Sequence, residues 1–178
     1  TRFIGISDVP YSSAALLLDT MNCTQLVTVR VAHVGQEHRT HLALAQTWRP
    51  LELIVVDDAS SDGNWAALRE LAAADPRLRL LRNPVNVGPY VSKNLALSIA
   101  RGAYITGHDA DDWAHPQRIE RHMHEVLASQ GRLQVSMTRM LRLDVTGRFV
   151  HFAREGKASD DGALRDAAIS ALFDARVL

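Results

Sequence analysis

The sequence has little cysteine, no excess of charge and no long apolar run, and each absence excludes a class of protein. Its 178 residues contain one cysteine, Cys23, which excludes an internal disulfide framework and indicates a reducing compartment. Twenty acidic residues balance twenty basic ones, so nothing indicates a partner nucleic acid or a strongly charged membrane surface. The apolar run Ala14–Leu18 is too short to span a membrane and lacks the flanks of a signal peptide.

Several familiar motifs of α/β proteins are also missing. A dinucleotide-binding fold needs Gly-x-Gly-x-x-Gly after its first strand, where this chain has the segment Ala32–Gly35. The Gly-x-x-x-x-Gly-Lys-Ser/Thr phosphate loop, the Gly-x-Ser-x-Gly elbow of serine hydrolases and the Gly- and Arg-rich loop of sugar nucleotidyltransferases are absent. A ligand site in this chain must therefore use other groups.

What is present is an ordinary globular composition with alternating strand and helix patterns. Hydrophobic residues make up 47% and charged residues 22%, and the length is sufficient for one domain with a core. Short apolar runs rich in β-branched residues predict the strands Val27–Val31, Leu51–Val56, Leu78–Leu81 and the start of Ala103–Trp113. Helical periodicity and end signals predict the helices Glu37–Thr47, Trp65–Ala74, Tyr90–Ala100 and Pro116–Gln130. This order predicts a mostly parallel sheet with helices on both faces.

The later part of the chain has a different pattern. Leu133–Leu143 has the alternating character of a strand, and Phe149–Phe152 follows a turn at Asp144–Arg148. We expect these two segments to form a small β-hairpin.

Acidic residues directly follow two of the predicted parallel strands. Asp57 and Asp58 follow the second strand, and the fourth runs into Asp109, Asp111 and Asp112. The carboxyl ends of strands are where open α/β sheets bind ligands, and clustered carboxylates suit Mg²⁺ or Mn²⁺. Two alternatives remain: the acids solvate turns and cap helices, or one of them is the nucleophile of a phosphatase.

Four histidines lie on two of the predicted helices, and we interpret all of them as surface residues. His38 and His41 are three positions apart, without the glutamate of a zinc-protease motif. His122 and His124 are two positions apart and must face different sides of their helix.

Several blocks of the sequence resemble, in order and spacing, family 2 glycosyltransferases of the GT-A fold across Val27–Val126. The resembling blocks are Ala45–Trp48, Leu53–Asp62, Asn83–Gly88, Lys93–Leu97, Gly102–Ile105, Asp109–Asp112 and Pro116–Ile119. The resemblance implies a Rossmann-like, mostly parallel sheet flanked by helices. It divides the chain into an accessory segment (residues 1–26), a nucleotide-sugar-binding half (27–113) and the beginning of an acceptor-binding half (114–178).

The resemblance also implies a nucleotide-sugar donor, most often a UDP-sugar, a divalent Mg²⁺ or Mn²⁺ ion, and a carbohydrate or glycolipid acceptor. The positions that match donor-binding residues of the family are Asp57, Asp58, Asn86, Gly88, Lys93 and Asp109. Asp58 matches the carboxylate that contacts uracil, and Lys93 either approaches the diphosphate or solvates its helix. Asp111 matches the metal ligand, with Asp109 beside it. The implied location is the cytoplasm, including the inner face of the membrane as a peripheral protein.

Two departures from the family pattern affect the expected activity. The first strand is followed by Ala32–Gly35 instead of a segment like Pro-Thr-Tyr-Asn, and the connection to Gln46 is shorter than usual. The catalytic base of inverting members lies in an acidic pair that we expect beyond Leu178. No residue in the sequence is therefore assigned as the base. A nucleotide-binding module without transfer activity remains the alternative function.

Overall fold

The structure, a computed structural model, describes residues 27–32, 43–61, 63–109, 113–141, 164–166 and 171–178. The described strands are β1 (Val27–Ala32), β2 (Leu51–Asp57), β3 (Leu78–Arg82), β4 (Tyr104–Asp109), β5 (Val135–Ser136), β6 (Arg139–Leu141), β7 (Leu164–Asp166) and β8 (Leu172–Asp174). The helices are α1 (Asn64–Ala74), α2 (Pro89–Ser98) and α3 (Arg118–Ala128), and a 3₁₀ turn spans Ala175–Val177.

Six strands form one mixed sheet in the order β3-β2-β1-β4-β8-β5. The first four are parallel, and β8 is antiparallel to both β4 and β5. The chain moves from β1 to β2 to β3 in one direction, and β4 then lies on the opposite side of β1. The strand order therefore reverses between β1 and β4, and open α/β sheets bind ligands at the carboxyl edge beside such a reversal.

Strand β2 is buried along its whole length, and its successive side chains pack alternately on the two faces of the sheet. Leu53 and Val55 belong to the larger core cluster, whereas Ile54 and Val56 pack with Ala96 of α2 on the other face. Helices α1 and α3 contribute to the larger cluster through Leu68, Ile119, Met123 and Val126. The predicted α/β architecture, with helices on both faces of a mostly parallel sheet, is thereby confirmed.

The segment Leu133–Leu143, predicted as one strand, contains two short ones that join different sheets. β5 pairs with β8 in the main sheet, and β6 pairs with β7 in a separate antiparallel pair. The partner of β6 in this pair is Leu164–Asp166, which lies further along the chain than the segment expected to return. The predicted returning strand Phe149–Phe152 lies outside the described residues.

Most predicted helices are confirmed with ends that shift by one or two residues. Pro116 and Gln117 form a turn before α3, so proline precedes the helix instead of occupying its first turn. Of the predicted helix Glu37–Thr47, residues 37–42 lie outside the described part, and only Ala43 and Leu44 of the remainder are helical. Over the described residues, no helix combines the length and the apolar character needed to cross a lipid bilayer.

The prediction of a surface position is wrong for His122. Its side chain is fully buried, and its Nδ1 lies 2.7 Å from the Ser136 hydroxyl, which in turn donates to Glu125 at 2.6 Å. Since the single hydroxyl proton goes to the carboxylate, His122 Nδ1 is the donor to Ser136. This network joins α3 to β5. His124 is partly buried, and burial lowers the pKa of its imidazole. His38 and His41 lie outside the described residues.

A buried carboxylate at the amino end of β2 fixes the connection that follows α2. Oε1 of Glu52 accepts hydrogen bonds from the backbone amides of Arg101 at 2.5 Å and Gly102 at 3.2 Å. Its Oε2 pairs with the Arg79 guanidinium of the neighbouring strand at 3.2 Å. Glu52 thus supplies an acceptor to one buried and one partly buried amide.

We expect Glu52→Ala to lower the free energy of unfolding by about 2–3 kcal/mol, because it leaves buried amide donors and the arginine without their acceptor. Glu52→Gln, which keeps one carbonyl oxygen, should cost less. Urea denaturation at pH 7 measures both, with Glu70→Ala on the exposed face of α1 as the control, for which we expect a change within about 0.5 kcal/mol. An equal decrease in the free energy of unfolding for Glu52→Ala and Glu70→Ala would contradict the stabilising role of Glu52.

Candidate functional site

The register of the parallel strands brings two acidic strand ends to one edge of the sheet. Ala32 at the end of β1 pairs with Asp109 of β4 on one side. On the other side it pairs with Val56 of β2, the residue before Asp57. Because β1 alone separates β2 from β4, the two acidic ends lie about 10 Å apart at the point where the strand order reverses. The structure confirms the predicted placement of these strand ends.

The Asp58 carboxylate organises the loop that leads from β3 into α2. Its Oδ1 accepts hydrogen bonds from Asn83 Nδ2 at 2.7 Å and from the Val87 amide at 2.9 Å. Its Oδ2 accepts a hydrogen bond from the Gly88 amide at 2.7 Å. Asn83 Nδ2 also donates to the Ser92 hydroxyl in the first turn of α2, at 2.9 Å. Asp58 is only 2% exposed, so this network is internal to the protein.

These hydrogen bonds determine the ionisation of Asp58. Burial by itself would raise the pKa of the carboxyl group, because it penalises the charged form. The hydrogen bonds from Asn83 and from the Val87 and Gly88 amides outweigh this effect and hold the pKa below its ordinary value of 3.8. Asp58 is therefore a carboxylate at neutral pH, close to the positive end of α2.

Asp57 has a different environment, although it is equally buried. Its Oδ1 accepts a hydrogen bond from the Ser60 amide at 3.0 Å, and its Oδ2 lies 3.0 Å from Nε of Arg82, the residue opposite it on β3. The Arg82 guanidinium also donates to the Ser60 carbonyl and lies 5.2 Å from the centre of the Trp65 ring. The arginine is thereby held from three directions at the carboxyl edge.

An open cleft of about 360 Å³ lies beside this ion pair, lined by Ala59, Arg82, Asn83 and Pro84. Ala59 has a φ of 61°, a left-handed conformation that is costly for a residue with a Cβ. This backbone turns the chain sharply after Asp58. A cleft with a guanidinium, an amide and an apolar wall can accept a planar polar ligand.

The other predicted donor residues surround the same loop. Asn86 lies in the middle of this loop and is exposed. Gly88 directly precedes α2 and has φ 87° and ψ 161°, values that favour glycine. Lys93 lies on α2 and is half-buried. The structure therefore places Asn86 and Gly88 in the loop that Asp58 holds, and Lys93 in the helix that follows it.

The predicted metal site is only partly within the described structure. Asp109 ends β4 at the correct edge, but its side chain and the whole of Asp111 lie outside the described part. Within the residues that are described, no group of three His, Cys, Asp or Glu side chains is placed to hold a metal ion. The assignment of Asp109 and Asp111 as ligands of Mg²⁺ or Mn²⁺ remains a prediction.

A second hydrogen-bonded clamp fixes the chain just after the acidic cluster. Gln46 is 1% exposed; its Nε2 donates to the His115 carbonyl at 2.9 Å and its Oε1 accepts from the Ile119 amide at 3.1 Å. The Thr47 amide donates to the Pro116 carbonyl at 2.9 Å, and its hydroxyl donates to Glu120 at 2.8 Å. Residues 115–120 are therefore attached to residues 46–47 at four points.

Sequence reasoning missed the positioning roles of Arg82, Ser92 and Gln46. The resemblance included Gln46 in a motif but gave no physical reason for it. Arg82 received no assignment, because the predicted strand ended at Leu81. A signal for Arg82 was available, since a basic residue at the end of the strand next to Asp57 can neutralise it. The hydrogen bonds of Gln46 span 69 and 73 residues, and no local pattern predicts them.

Comparison with known proteins gives a match to the profile of glycosyl transferase family 2 over residues 38–162, more than half of the chain. The succinoglycan biosynthesis protein ExoO of Rhizobium meliloti is 35% identical over 57% of this chain and 29% of its own. The putative glycosyltransferase EpsE of Bacillus subtilis is 37% identical over 58% of this chain and 37% of its own. The chain thus spans less than half the length of these relatives.

Solved structures of glycosyltransferases share the fold. The mannosyltransferase PcManGT of Pyrobaculum calidifontis, in complex with GDP-Man and Mn²⁺, is 25% identical with a TM-score of 0.55, over 70% of this chain and 40% of its own. TarS of S. aureus, solved also with UDP and UDP-GlcNAc, has a TM-score of 0.60 over 86% of this chain, at 19% identity in its unliganded form. That alignment covers 48% of the TarS chain. The predicted GT-A fold is confirmed.

We expect Asp58→Asn to lower the free energy of unfolding by about 1–3 kcal/mol at pH 7, because its NH₂ group faces donors where an acceptor is required. The pH dependence should also change. A carboxyl group whose pKa is lowered by folding stabilises the protein fully above its unfolded pKa, and this stabilisation disappears as the pH falls through the folded value.

Urea denaturation between pH 2 and pH 7 measures both effects, because the wild type should lose stability below about pH 4 more steeply than Asp58→Asn. Glu70→Gln is the matched control, since it makes the same chemical change at an exposed position. If the free energy of unfolding fell as steeply with decreasing pH in Asp58→Asn as in the wild type, Asp58 would not be the group whose pKa is lowered by folding.

For Gln46→Leu we expect faster hydrogen exchange at the Ile119 amide, by roughly tenfold or more, because an apolar side chain of similar size removes its acceptor. Exchange measured by NMR or mass spectrometry tests this. Gln134→Leu replaces an exposed glutamine and should leave the exchange of Ile119 unchanged. Unaltered protection in Gln46→Leu would show that the clamp does not hold the start of α3.

Proposed function

Because the chain belongs to glycosyl transferase family 2, we propose that the whole protein transfers a glycosyl unit from a nucleotide-sugar donor to an acceptor hydroxyl. The observation that carries this proposal is the pair of acidic strand ends on either side of β1 at the carboxyl edge. A donor of this kind has a polar base, a ribose and a diphosphate. It therefore needs hydrogen-bonding groups at one end and cationic neutralisation at the other.

In the proposed complex the base and ribose lie over the carboxyl end of β2. Asp57 and Asp58 form the floor, and the loop with Asn86 and Gly88 forms one wall. Both carboxylates already accept internal hydrogen bonds, and each oxygen keeps lone-pair capacity for a ligand N–H or hydroxyl group. Lys93 is the proposed cation on the α2 side of the diphosphate.

We assign Asp109 and Asp111 as the residues that would hold Mg²⁺ or Mn²⁺ beside the diphosphate. Carboxylate oxygens are the ligands these ions prefer. The bound ion would supply charge stabilisation for the departing nucleoside diphosphate. The mannosyltransferase neighbour was solved with GDP-Man and Mn²⁺, which supports a divalent ion for this family.

The proposed donor is a UDP-sugar. The TarS neighbour was solved with UDP and with UDP-GlcNAc, and a relative from Escherichia coli, WfaP, is named a UDP-Glc-dependent glucosyltransferase that acts on a diphosphoundecaprenol acceptor. A carbohydrate or glycolipid acceptor, in the cytoplasm or at the inner face of the membrane, completes the proposal. Inversion at the anomeric carbon is the proposed outcome, with an acceptor deprotonated by a base beyond Leu178.

We expect UDP together with Mn²⁺ to raise the melting temperature by several degrees, since a ligand at about a hundred times its dissociation constant adds roughly 2.7 kcal/mol. GDP, CMP and ADP serve as competing nucleotides. Asp111→Asn should abolish the part of the shift that requires Mn²⁺, whereas Asp161→Asn, outside the resembling region Val27–Val126, should not. No shift with any nucleotide would refute the proposal.

The same preparation can distinguish transfer from binding alone. Release of UDP from a UDP-sugar in the presence of a lipid-linked or free saccharide acceptor supports transfer. A Mn²⁺-dependent shift with UDP but no release from the full-length protein would instead favour a nucleotide-binding module.

A further inference from the structure

An exposed aromatic side chain follows the acidic cluster, in a segment that is otherwise anchored. Trp113 is 52% exposed, whereas the next residue, Ala114, is 6% exposed. The other two tryptophans are protected, since Trp48 is 6% exposed in the core and Trp65 lies partly buried near Arg82. A single exposed ring is ordinary by itself, so its meaning depends on the groups that lie near it.

Trp113 is close to the reacting end of the proposed donor. It lies four residues beyond Asp109, so its Cα is at most about 14 Å from that of Asp109 even if the chain is fully extended. The sugar of a nucleotide-sugar is attached to the diphosphate that Asp109 and Asp111 are proposed to neutralise. An aromatic ring at this distance can therefore contact a sugar at the reacting centre.

The segment after Trp113 is held firmly, so the ring has a defined position. The His115 imidazole packs edge-on against the indole, with ring centres 6.1 Å apart and an interplanar angle of 88°. The carbonyls of His115 and Pro116 accept hydrogen bonds from the side chain of Gln46 and the amide of Thr47. Little conformational freedom remains to be lost when a ligand binds to the ring.

From these observations we infer that Trp113 binds a pyranose ring, an inference that rests on the proposed glycosyl transfer. One face of a pyranose carries mainly C–H bonds, and a flat indole offers matching apolar area with a negative face and a single N–H donor. Tryptophan provides this area at a low cost in side-chain entropy. The pyranose belongs either to the donor or to the acceptor, because both meet at the anomeric carbon.

The test compares sugar-bearing and sugar-free ligands in the wild type and in Trp113→Leu, which keeps an apolar side chain but removes the flat ring. In the donor arm, calorimetry with Mn²⁺ gives dissociation constants for UDP, UDP-glucose and UDP-GlcNAc. In the acceptor arm, cellobiose and N-acetylchitobiose are titrated in the presence of UDP and Mn²⁺. The same calorimetry gives the dissociation constants of these saccharides in both proteins.

A donor-side contact predicts that Trp113→Leu weakens UDP-sugars about fivefold and leaves UDP within twofold, while Trp113→Phe retains most of the affinity. An acceptor-side contact predicts unchanged donor affinities and saccharide binding that is weakened about fivefold. Tyr90→Leu replaces an aromatic residue on α2 that is 80% exposed and is the matched control. It should change neither the donor affinities nor the saccharide binding.

Two results would overturn the inference, and they are distinguishable. If UDP binds and neither arm changes in Trp113→Leu, Trp113 is not a sugar-binding residue, although the proposed function stands. If no nucleotide binds to the wild type, the proposed function fails and the inference fails with it.

Discussion

Two carboxylates, one at each end of β2, hold both ends of α2, and the shape of the candidate site depends on this arrangement. Glu52, near the start of β2, accepts the amides of Arg101 and Gly102 just after the helix. Asp58, directly after β2, accepts the amides of Val87 and Gly88 just before it. A helix of ten residues is about 15 Å long, and the six steps between the two acids span about 20 Å, so the lengths are compatible.

The electrostatics of this arrangement differ at the two ends. Asp58 lies at the amino end of α2, where the helix dipole favours a negative charge, and its pKa is lowered. Glu52 lies near the carboxyl end, where the dipole disfavours a negative charge, and there Arg79 pairs with it and also donates to the Ile99 carbonyl. Each carboxylate is therefore compensated by a different physical means.

The sequence predicted the parallel strands, most helices and the acidic edge, because these depend on local periodicity and on strand ends. It did not predict that Leu133–Leu143 divides between two sheets, since strand pairing is decided by distant partners. His122 was misread although the signal was present: it shares the helix face of Ile119, Met123 and Val126, all of which are buried. A polar residue on an apolar stripe indicates a buried partner, here Ser136.

The same distinction applies to the motif residues of the candidate site. Asp58, Asn83 and Gln46 stand in the blocks that resemble the family, and each makes internal hydrogen bonds while it is buried. Loss of activity on replacing one of them would not by itself identify a ligand contact, since the loop that forms the site would also lose its support. The ambiguity is smaller at the exposed residues Asn86 and Trp113, because neither side chain takes part in the hydrogen bonds described for Asp58 and Gln46. Substitutions at these exposed positions, compared with the buried ones at equal stability, therefore separate recognition of the donor from the folding of the edge that binds it.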